Sequence, residues 1–326
     1  MELTKKQQEG LELAVKRYNE GAPYTCIAGY AGTGKSTLVK FIVSALGLRQ
    51  TDIAYIAFTG KAALVLKEKG CPNAMTAHRL LYQSYPRNDG TFAHRPRRPI
   101  YPYKLIVVDE ISMLPDEIWQ LLLSHSIHVI ALGDPFQLPP IEKDEDNHLL
   151  DHPHIFLDEI MRQATESPII RLTMDIREKK PLEYVENEKV RVYPASALNT
   201  GMLEWADQVL VATNLQRHSM NDYMRQMKGF GPDPEDGDKI ICLRNYWDWG
   251  NLTNGDPLVN GSIGTLHNPL PGHINVPFYA YDKGRINILG GEFVSELGED
   301  FGHINMDPKI MKGGESELEW RTKYNL

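Results

Sequence analysis

The sequence predicts an α/β protein with a parallel sheet covered by helices, and two observations lead to that prediction. Short apolar runs typical of buried strands recur along the chain, and segments with the helical spacing of apolar residues separate several of them. In addition, residues 29–36 read G-Y-A-G-T-G-K-S, which fits the pattern G-x-x-x-x-G-K-[ST] and lies between a strand-like run and a helical one. In this class of fold, ligands bind at the carboxyl ends of the strands.

The elements can be assigned in order along the chain. Thr4 and Gln7 form a predicted capping box at the start of an amphipathic helix, which ends near Gly21. Apolar runs predict strands at residues 24–28, 53–58, 105–108, 127–132 and 209–212. Helical spacing predicts helices over residues 35–46, 60–69, 115–124, 169–178 and 219–227. The rest of the chain is rich in Gly, Pro and Asn and predicts only short strands.

A chain of 326 residues is long enough for two domains, and we place the predicted boundary near residue 166. The first domain then spans residues 1–165 and the second spans residues 166–326. Within the first, residues 82–100 interrupt the alternation of strands and helices and predict an inserted β-hairpin that turns at residues 88–90.

The composition excludes several classes of protein. No apolar run approaches the roughly 18 residues of a membrane span, and no signal peptide follows the first Met. The three Cys are scattered, which predicts reduced thiols in a cytoplasm and not a disulfide framework or a zinc site. A net charge of −8 argues against a protein whose whole surface attracts nucleic acid. Positive charge is local, however, with six Lys or Arg against one acid in residues 79–104.

The P-loop, residues 29–37, has the composition of a site for a nucleoside triphosphate and Mg²⁺. Its predicted binding residues are Gly29, Gly32, Thr33, Gly34, Lys35, Ser36 and Thr37. Glycines let the backbone wrap a polyphosphate, and the amides and the helix N-terminus supply positive potential. Lys35 would reach the β- and γ-phosphates, and the Ser36 hydroxyl would bind magnesium. A glycine-rich turn that happens to hold a Lys is the alternative, but the strand and helix on either side disfavour it.

Polar side chains follow two further strand-like runs. Asp109 would bind the magnesium through water, and Glu110 would orient or deprotonate the attacking water. Gln137 would hydrogen-bond the γ-phosphate or that water. Taken alone, Asp109 and Glu110 fit an acidic strand end that faces solvent, and the segment around Gln137 fits a Pro-rich turn. Their position after a P-loop favours the catalytic interpretation.

Several short segments then follow one another in a diagnostic order. They are L-T-x-x-Q (3–7), the P-loop, F-T-G-K-A (58–62), T-A-H (76–78), V-D-E-I-S-M (108–113), G-D-P-F-Q-L-P (133–139), M-R-Q (161–163), A-T-N (212–214) and P-L-V-N-G (257–261). Over about residues 1–265 the chain resembles a superfamily 1 DNA helicase of the RecD/Dda type, found in bacteria and their phages. The resemblance implies an ATP- and Mg²⁺-dependent motor with two RecA-like lobes, the second incomplete, moving 5′ to 3′ in a bacterial or phage-infected cell.

The same resemblance implies roles for individual residues toward ATP and toward single-stranded DNA or a single-strand/duplex junction. Gln7 would read the adenine, although the capping box explains the same residue, and both can hold. Arg162 would stabilise charge on the γ-phosphate. The residues implied in DNA contact are Thr59, Lys61 and His78 in the first lobe and Thr213 and Asn214 in the second.

The hairpin lies where such helicases carry a separation pin. Phe92, or Tyr82 and Tyr85, would stack on the splitting base pair, with nearby arginines on phosphates. A solvated surface hairpin is the alternative.

The chain also departs from the family, because the segments T-x-H-K-x-Q-G and Y-V-x-x-T-R do not occur in it. A truncated gene product, a split motor completed by a second polypeptide, and a degenerate ATP-binding module all fit this observation. We therefore keep an ATP-gated DNA- or partner-binding module as the alternative to a helicase. A P-loop ATPase unrelated to nucleic acid is a third interpretation.

Overall fold

A computed structural model describes most of the chain and groups it into two compact units. The first unit comprises Met1–Gln83 and Arg95–Pro194, and the second comprises Ser84–His94 and Ala195–Leu326. The residues described are 3–86, 92–100, 102–138, 140, 147–159, 167–243, 258, 260–275, 285–296 and 298–311.

The secondary structure follows the alternation that the sequence predicts. The strands are β1 (Tyr24–Gly29), β2 (Ile53–Ala57), β3 (Ala74–Thr76), β4 (Tyr82–Pro86), β5 (Phe92–Pro96), β6 (Leu105–Val108), β7 (His128–Gly133), β8 (Ile155–Leu157), β9 (Val185–Glu186), β10 (Arg191–Val192), β11 (Lys239–Ile241), β12 (Ile263–Asn275), β13 (Arg285–Ser295) and β14 (Asp300–Met306). The helices are α1 (Lys5–Asn19), α2 (Lys35–Ala45), α3 (Gly60–Glu68), α4 (Ala77–Leu81), α5 (Asp116–Leu123), α6 (Pro168–Arg177), α7 (Thr200–Trp205), α8 (Asn214–Met227) and α9 (Pro308–Met311).

A six-stranded parallel sheet forms the centre of the first unit, in the order β3-β2-β6-β7-β1-β8. Its inner strands β2, β6, β7 and β1 are buried on both faces, as parallel strands usually are. One face packs on α1, α2 and α3 through residues such as Ile27, Ile130, Leu38, Ile42 and Leu66. The other packs on α4 and α5 through residues such as Ile56, Ile106, Leu81, Ile118 and Trp119. The parallel α/β fold predicted from the sequence is therefore confirmed for this unit.

Most predicted elements of this unit agree with the structure within one or two residues at each end. Strands β3 and β8 were not predicted, because three residues are too few to show a periodicity. The predicted hairpin is present as the pair β4 and β5, although Ser84–His94 group with the second unit. Its turn at residues 88–90 lies outside the described residues.

One strand prediction is wrong. Residues 209–212 are not a strand, and the Leu210 side chain is 88% exposed. An apolar run becomes a buried strand only where the sheet offers it a partner, and this run instead leads into the N-cap of α8.

The second unit contains α7, α8 and an antiparallel sheet in the order β11-β12-β13-β14. Its core includes Leu266, Leu289, Phe293 and Phe301. The strands β12 and β13 have 13 and 11 residues, so the prediction of short strands here is wrong. The second RecA-like lobe and the boundary at residue 166 stay predictions. In the described parts of the chain, no helix is both long and apolar enough to span a membrane.

Candidate active site

The P-loop connects β1 to α2 at the carboxyl edge of the parallel sheet. Gly32 and Gly34 both have φ near 80°, a conformation that glycine adopts without steric cost, and Gly34 caps α2. Gly29 is equally constrained, because a β-carbon on it would lie 2.7 Å from the carbonyl oxygen of Leu157. The sequence thus folds into a loop that turns toward the N-terminus of α2, where backbone amides favour anions.

Lys35 is the first residue of α2 and folds back onto the loop. Its Nζ donates hydrogen bonds of 2.6 Å to the carbonyl oxygen of Gly29 and 3.0 Å to that of Tyr30. Burial lowers the pKa of Lys35, while the carboxylates of Asp134 and Asp109 oppose that shift. Ser36 is exposed beside it, and Thr37 is half-buried. The loop's cation and hydroxyl therefore lie at one helix end.

Gln7 lies beneath the P-loop and is 1% exposed. Its Oε1 accepts a hydrogen bond of 3.0 Å from the backbone N–H of Thr4, and its Nε2 donates one of 3.0 Å to the carbonyl oxygen of Thr33. The capping box predicted from the sequence is confirmed, since the Thr4 side chain also accepts from the Gln7 N–H. Gln7 thus braces the loop, and its predicted contact with adenine stays a prediction.

Asp109 and Glu110 follow β6 directly at the same edge of the sheet. The backbone N–H of Asp109 donates to the carbonyl oxygen of Ile56, and Asp109 Oδ1 accepts from the N–H of Glu110. Glu110 has φ 56°, which is left-handed backbone and uncommon outside glycine. Burial raises the pKa of both carboxyls, and the Asp109 charge raises that of Glu110 further. The positive charge of Lys35 lowers the pKa of both carboxyls and so opposes these shifts in part.

The turn after β7 adds Asp134 and Gln137. Asp134 is 1% exposed and forms an ion pair of 2.5 Å with Arg177, the last residue of α6. Gln137 is exposed, and its backbone N–H donates to the carbonyl oxygen of Asp134. The sequence pointed to Gln137 but not to the role of Asp134 or Arg177. Nothing in the local pattern around Arg177 signals that it reaches this site, because only the tertiary fold brings it there.

The residues expected to touch DNA in the first unit lie on α3 and α4. The Thr59 hydroxyl accepts from the N–H of Ala62 as the N-cap of α3, and Lys61 is exposed on the first turn. His78 is exposed, and its ring lies 5.8 Å from that of Tyr82 with 23° between the planes. The ring of Phe58 lies 6.5 Å from that of His78.

Three of the remaining predicted site residues lie at the starts of α8 and β5. Thr213 is the N-cap of α8 in the second unit, with Asn214 next to it on the exposed first turn. Phe92 begins β5. Arg162 lies outside the described residues.

The donors at the P-loop fit magnesium. Ser36 offers a hydroxyl and Asp109 a carboxylate, which are the hard oxygen ligands that Mg²⁺ takes alongside phosphate and water. A site built from protein ligands alone is absent from the described residues, where no three His, Cys, Asp or Glu gather. This donor set suits a metal that arrives with a nucleotide.

Comparison with known proteins confirms the resemblance. A family model described as "AAA domain" matches residues 2–193. The ATP-dependent RecD2 DNA helicase of Deinococcus radiodurans is 34% identical over 175 residues, which are 51% of this chain and 24% of that protein. The ATP-dependent DNA helicase dda of Enterobacteria phage T4 is 28% identical over 191 residues, which are 55% of this chain and 43% of that protein. The chain thus matches less than half the length of these relatives.

A solved structure shows the same fold. A structure of Pif1 helicases at forked double-stranded DNA aligns with 94% of this chain, and the alignment covers 76% of the Pif1 chain. The TM-score is 0.50 and the sequence identity is 18%.

Proposed function

We propose, on the premise that the chain belongs to the AAA domain family, that it is the ATP-hydrolysing part of a DNA helicase. Lys35, Asp109 and Glu110 carry this proposal. They lie at the carboxyl edge of the sheet, where the charge of Lys35 lowers the pKa of both carboxyls and the two carboxylates raise the pKa of Lys35. A P-loop lysine facing a strand-end Asp-Glu pair is the arrangement that phosphoryl transfer to water requires. The relatives' names supply the polynucleotide substrate.

The nucleotide would bind with its phosphates on the P-loop. Lys35 would exchange its bonds to the Gly29 and Tyr30 carbonyls for bonds to phosphate oxygens, which are stronger because both partners are charged. Ser36 and Asp109 would hold Mg²⁺, whose charge offsets that of the phosphates. These residues bind and orient the substrate.

Glu110 would accept the proton of the attacking water. A general base works best when its pKa approaches the operating pH, and burial together with Asp109 moves the pKa of Glu110 in that direction. Gln137 would orient the water or the γ-phosphate, and Arg162 would stabilise charge in the transition state.

DNA would lie along the α3 and α4 residues of the first unit, with further contacts from Thr213 and Asn214. Movement 5′ to 3′ and strand separation at the β4–β5 hairpin follow from the resemblance to RecD/Dda-type helicases. An ATP-gated binding module without unaided unwinding remains the alternative, and the comparisons give no support to a second polypeptide.

The decisive experiment measures ATP hydrolysis by the purified chain with and without single-stranded DNA, followed by displacement of a labelled strand from a forked duplex. We expect DNA to stimulate hydrolysis and Lys35→Ala to abolish it. Hydrolysis that ignores DNA contradicts a DNA motor. DNA-stimulated hydrolysis without strand displacement selects the binding module.

A further inference from the structure

The ion pair between Asp134 and Arg177 is buried at the edge of the sheet that carries the P-loop. Arg177 Nη2 lies 2.5 Å from Asp134 Oδ2, and the two side chains are 14% and 1% exposed. The charges of both residues act on Lys35. The pair therefore belongs to the surroundings of the phosphate-binding lysine, although Arg177 lies 43 residues after Asp134.

Arg177 also contacts the P-loop through an aromatic ring. Its guanidinium carbon lies 5.0 Å from the ring centre of Tyr30 and 5.9 Å from that of Phe136, both within the range of cation–π attraction. Tyr30 is the second residue of the P-loop, and its carbonyl oxygen accepts from Lys35. One cation thus contacts the loop that binds phosphate and the turn that follows β7.

Asp134 in turn fixes the backbone that carries Gln137. Asp134 Oδ1 accepts a hydrogen bond of 3.1 Å from the N–H of Phe136, and the Asp134 carbonyl oxygen accepts one of 3.0 Å from the N–H of Gln137. The Gln137 side chain itself is exposed. The backbone of the turn that carries Gln137 is therefore anchored on Arg177 through Asp134.

We infer that Arg177 is a positioning residue for ATP hydrolysis, which holds the turn that carries Gln137 beside the P-loop through its contacts with Asp134 and Tyr30. This inference rests on the proposed function. A purely structural ion pair is the competing explanation. Burying two charges is costly, however, and a pair of well-packed uncharged groups often stabilises a fold as well. Stability alone does not explain why the charged Arg177 side chain contacts both the P-loop and the turn that follows β7.

The test removes both charges together, because an unpaired Asp134 would remain as a buried charge in Arg177→Met alone. The double variant Asp134→Asn/Arg177→Met keeps the shape of Asp134, the length of the Arg177 stem and an acceptor for the Phe136 N–H. We expect the melting temperature of this variant to be close to that of the wild type. Its Kd for a fluorescent ADP analogue should stay within about threefold of the wild-type value, because the P-loop contacts with the bound nucleotide are unchanged. Its kcat should fall about tenfold to a hundredfold, the effect of a misplaced catalytic group.

A comparison with Gln137→Ala distinguishes positioning from general weakening. If Arg177 acts through Gln137, the triple variant should lose no more kcat than Gln137→Ala alone, because residues acting as a unit are not additive. Arg171→Met, an exposed change on the same helix, is the matched control and should hydrolyse ATP normally.

Each outcome has a distinct meaning. A double variant with wild-type kcat, or losses that multiply in the triple variant, would overturn the inference and leave the proposed function intact. A double variant that unfolds makes the pair structural and likewise overturns the inference. If the wild type shows no hydrolysis that Lys35→Ala removes, the proposed function fails and the inference fails with it.

Discussion

The ammonium group of Lys35 lies 2.6 Å from the carbonyl oxygen of Gly29, so the cation of the P-loop is bound by the loop's own backbone. A second bond, to Tyr30, completes this arrangement. Both acceptors are neutral carbonyls, whereas a phosphate oxygen carries charge and forms the stronger bond. Lys35 is thus held in place before phosphate binds, and little side-chain entropy remains to be lost on binding.

Replacing Lys35 with Ala should therefore remove hydrolysis without unfolding the protein. The loss of one phosphate-binding cation should lower kcat by about a hundredfold or more, as for other donors to a developing charge. Phosphate release and thermal melting are the measurements. Lys40→Ala, an exposed change on the same helix, is the control and should match the wild type in both. Normal turnover by the Lys35 variant would show that ATP is hydrolysed elsewhere.

Glu110→Gln should block hydrolysis and keep nucleotide binding. General base catalysis contributes about a hundredfold or more, so kcat should fall at least that far. Because the pKa of Glu110 is raised above its ordinary 4.5, wild-type activity should decline with falling pH sooner than an unperturbed glutamate would require. A pH–rate profile and the binding of a fluorescent ADP analogue measure the two effects. Weakened binding with unchanged kcat would assign Glu110 to substrate affinity.

Asp109→Asn should stabilise the protein at neutral pH while it impairs catalysis. The folded state raises the pKa of Asp109 from 3.8, so the folded protein holds this proton more tightly than the unfolded chain does. The contribution of Asp109 to the stability of the folded state is least unfavourable below pH 3.8. It becomes more unfavourable as pH rises through the raised pKa. The variant should therefore melt higher than the wild type at pH 7, and the difference should shrink toward pH 4. A lower melting temperature of the variant at pH 7 would contradict a raised pKa of Asp109 in the folded protein.

Thr4→Ala and Gln7→Ala should separate the bracing of the P-loop from recognition of adenine. Loss of the Thr4 cap should cost about 1 kcal/mol of stability and leave the choice of nucleotide unchanged. Gln7→Ala should destabilise more, because it leaves the buried carbonyl oxygen of Thr33 without the Gln7 amide. If Gln7 also reads adenine, this variant alone should narrow the ratio of kcat/KM for ATP to that for GTP. An unchanged ratio would leave Gln7 with only its structural role.

The sequence predicted those parts of the site that depend on local chain geometry. The P-loop and the Asp109–Glu110 strand end are recognised from spacing, because one strand, one turn and one helix hold each of them. The capping box of Thr4 and Gln7 was likewise visible, since both partners lie within one helical turn.

The parts that the sequence did not predict depend on contacts between distant elements. Arg177 reaches Asp134 only because the last residue of α6 lies near the end of β7, and no periodicity encodes that contact. Residues 209–212 show the opposite error, since an apolar run there has the composition of a strand but does not form one. Local composition reports what a segment can form, and tertiary pairing decides what it does form.

His78→Ala and Lys61→Ala should weaken single-stranded DNA binding in different ways. His78 is stacked on Tyr82 and exposed, so it offers a ring to a base, and its loss should cost about 1–3 kcal/mol of binding free energy. Lys61 is an exposed cation on the first turn of α3, and its loss should lower the slope of log K against log salt by about one phosphate contact. Fluorescence anisotropy of a labelled oligonucleotide over a range of salt concentrations measures both.

Neither residue is part of the nucleotide site, so ATP hydrolysis without DNA should stay at the wild-type rate in both variants. If His78→Ala instead changes the salt slope and Lys61→Ala does not, the two roles are reversed. If neither variant changes affinity at any salt concentration, DNA does not follow the ends of β2 and β3, and the predicted path along α3 and α4 is wrong.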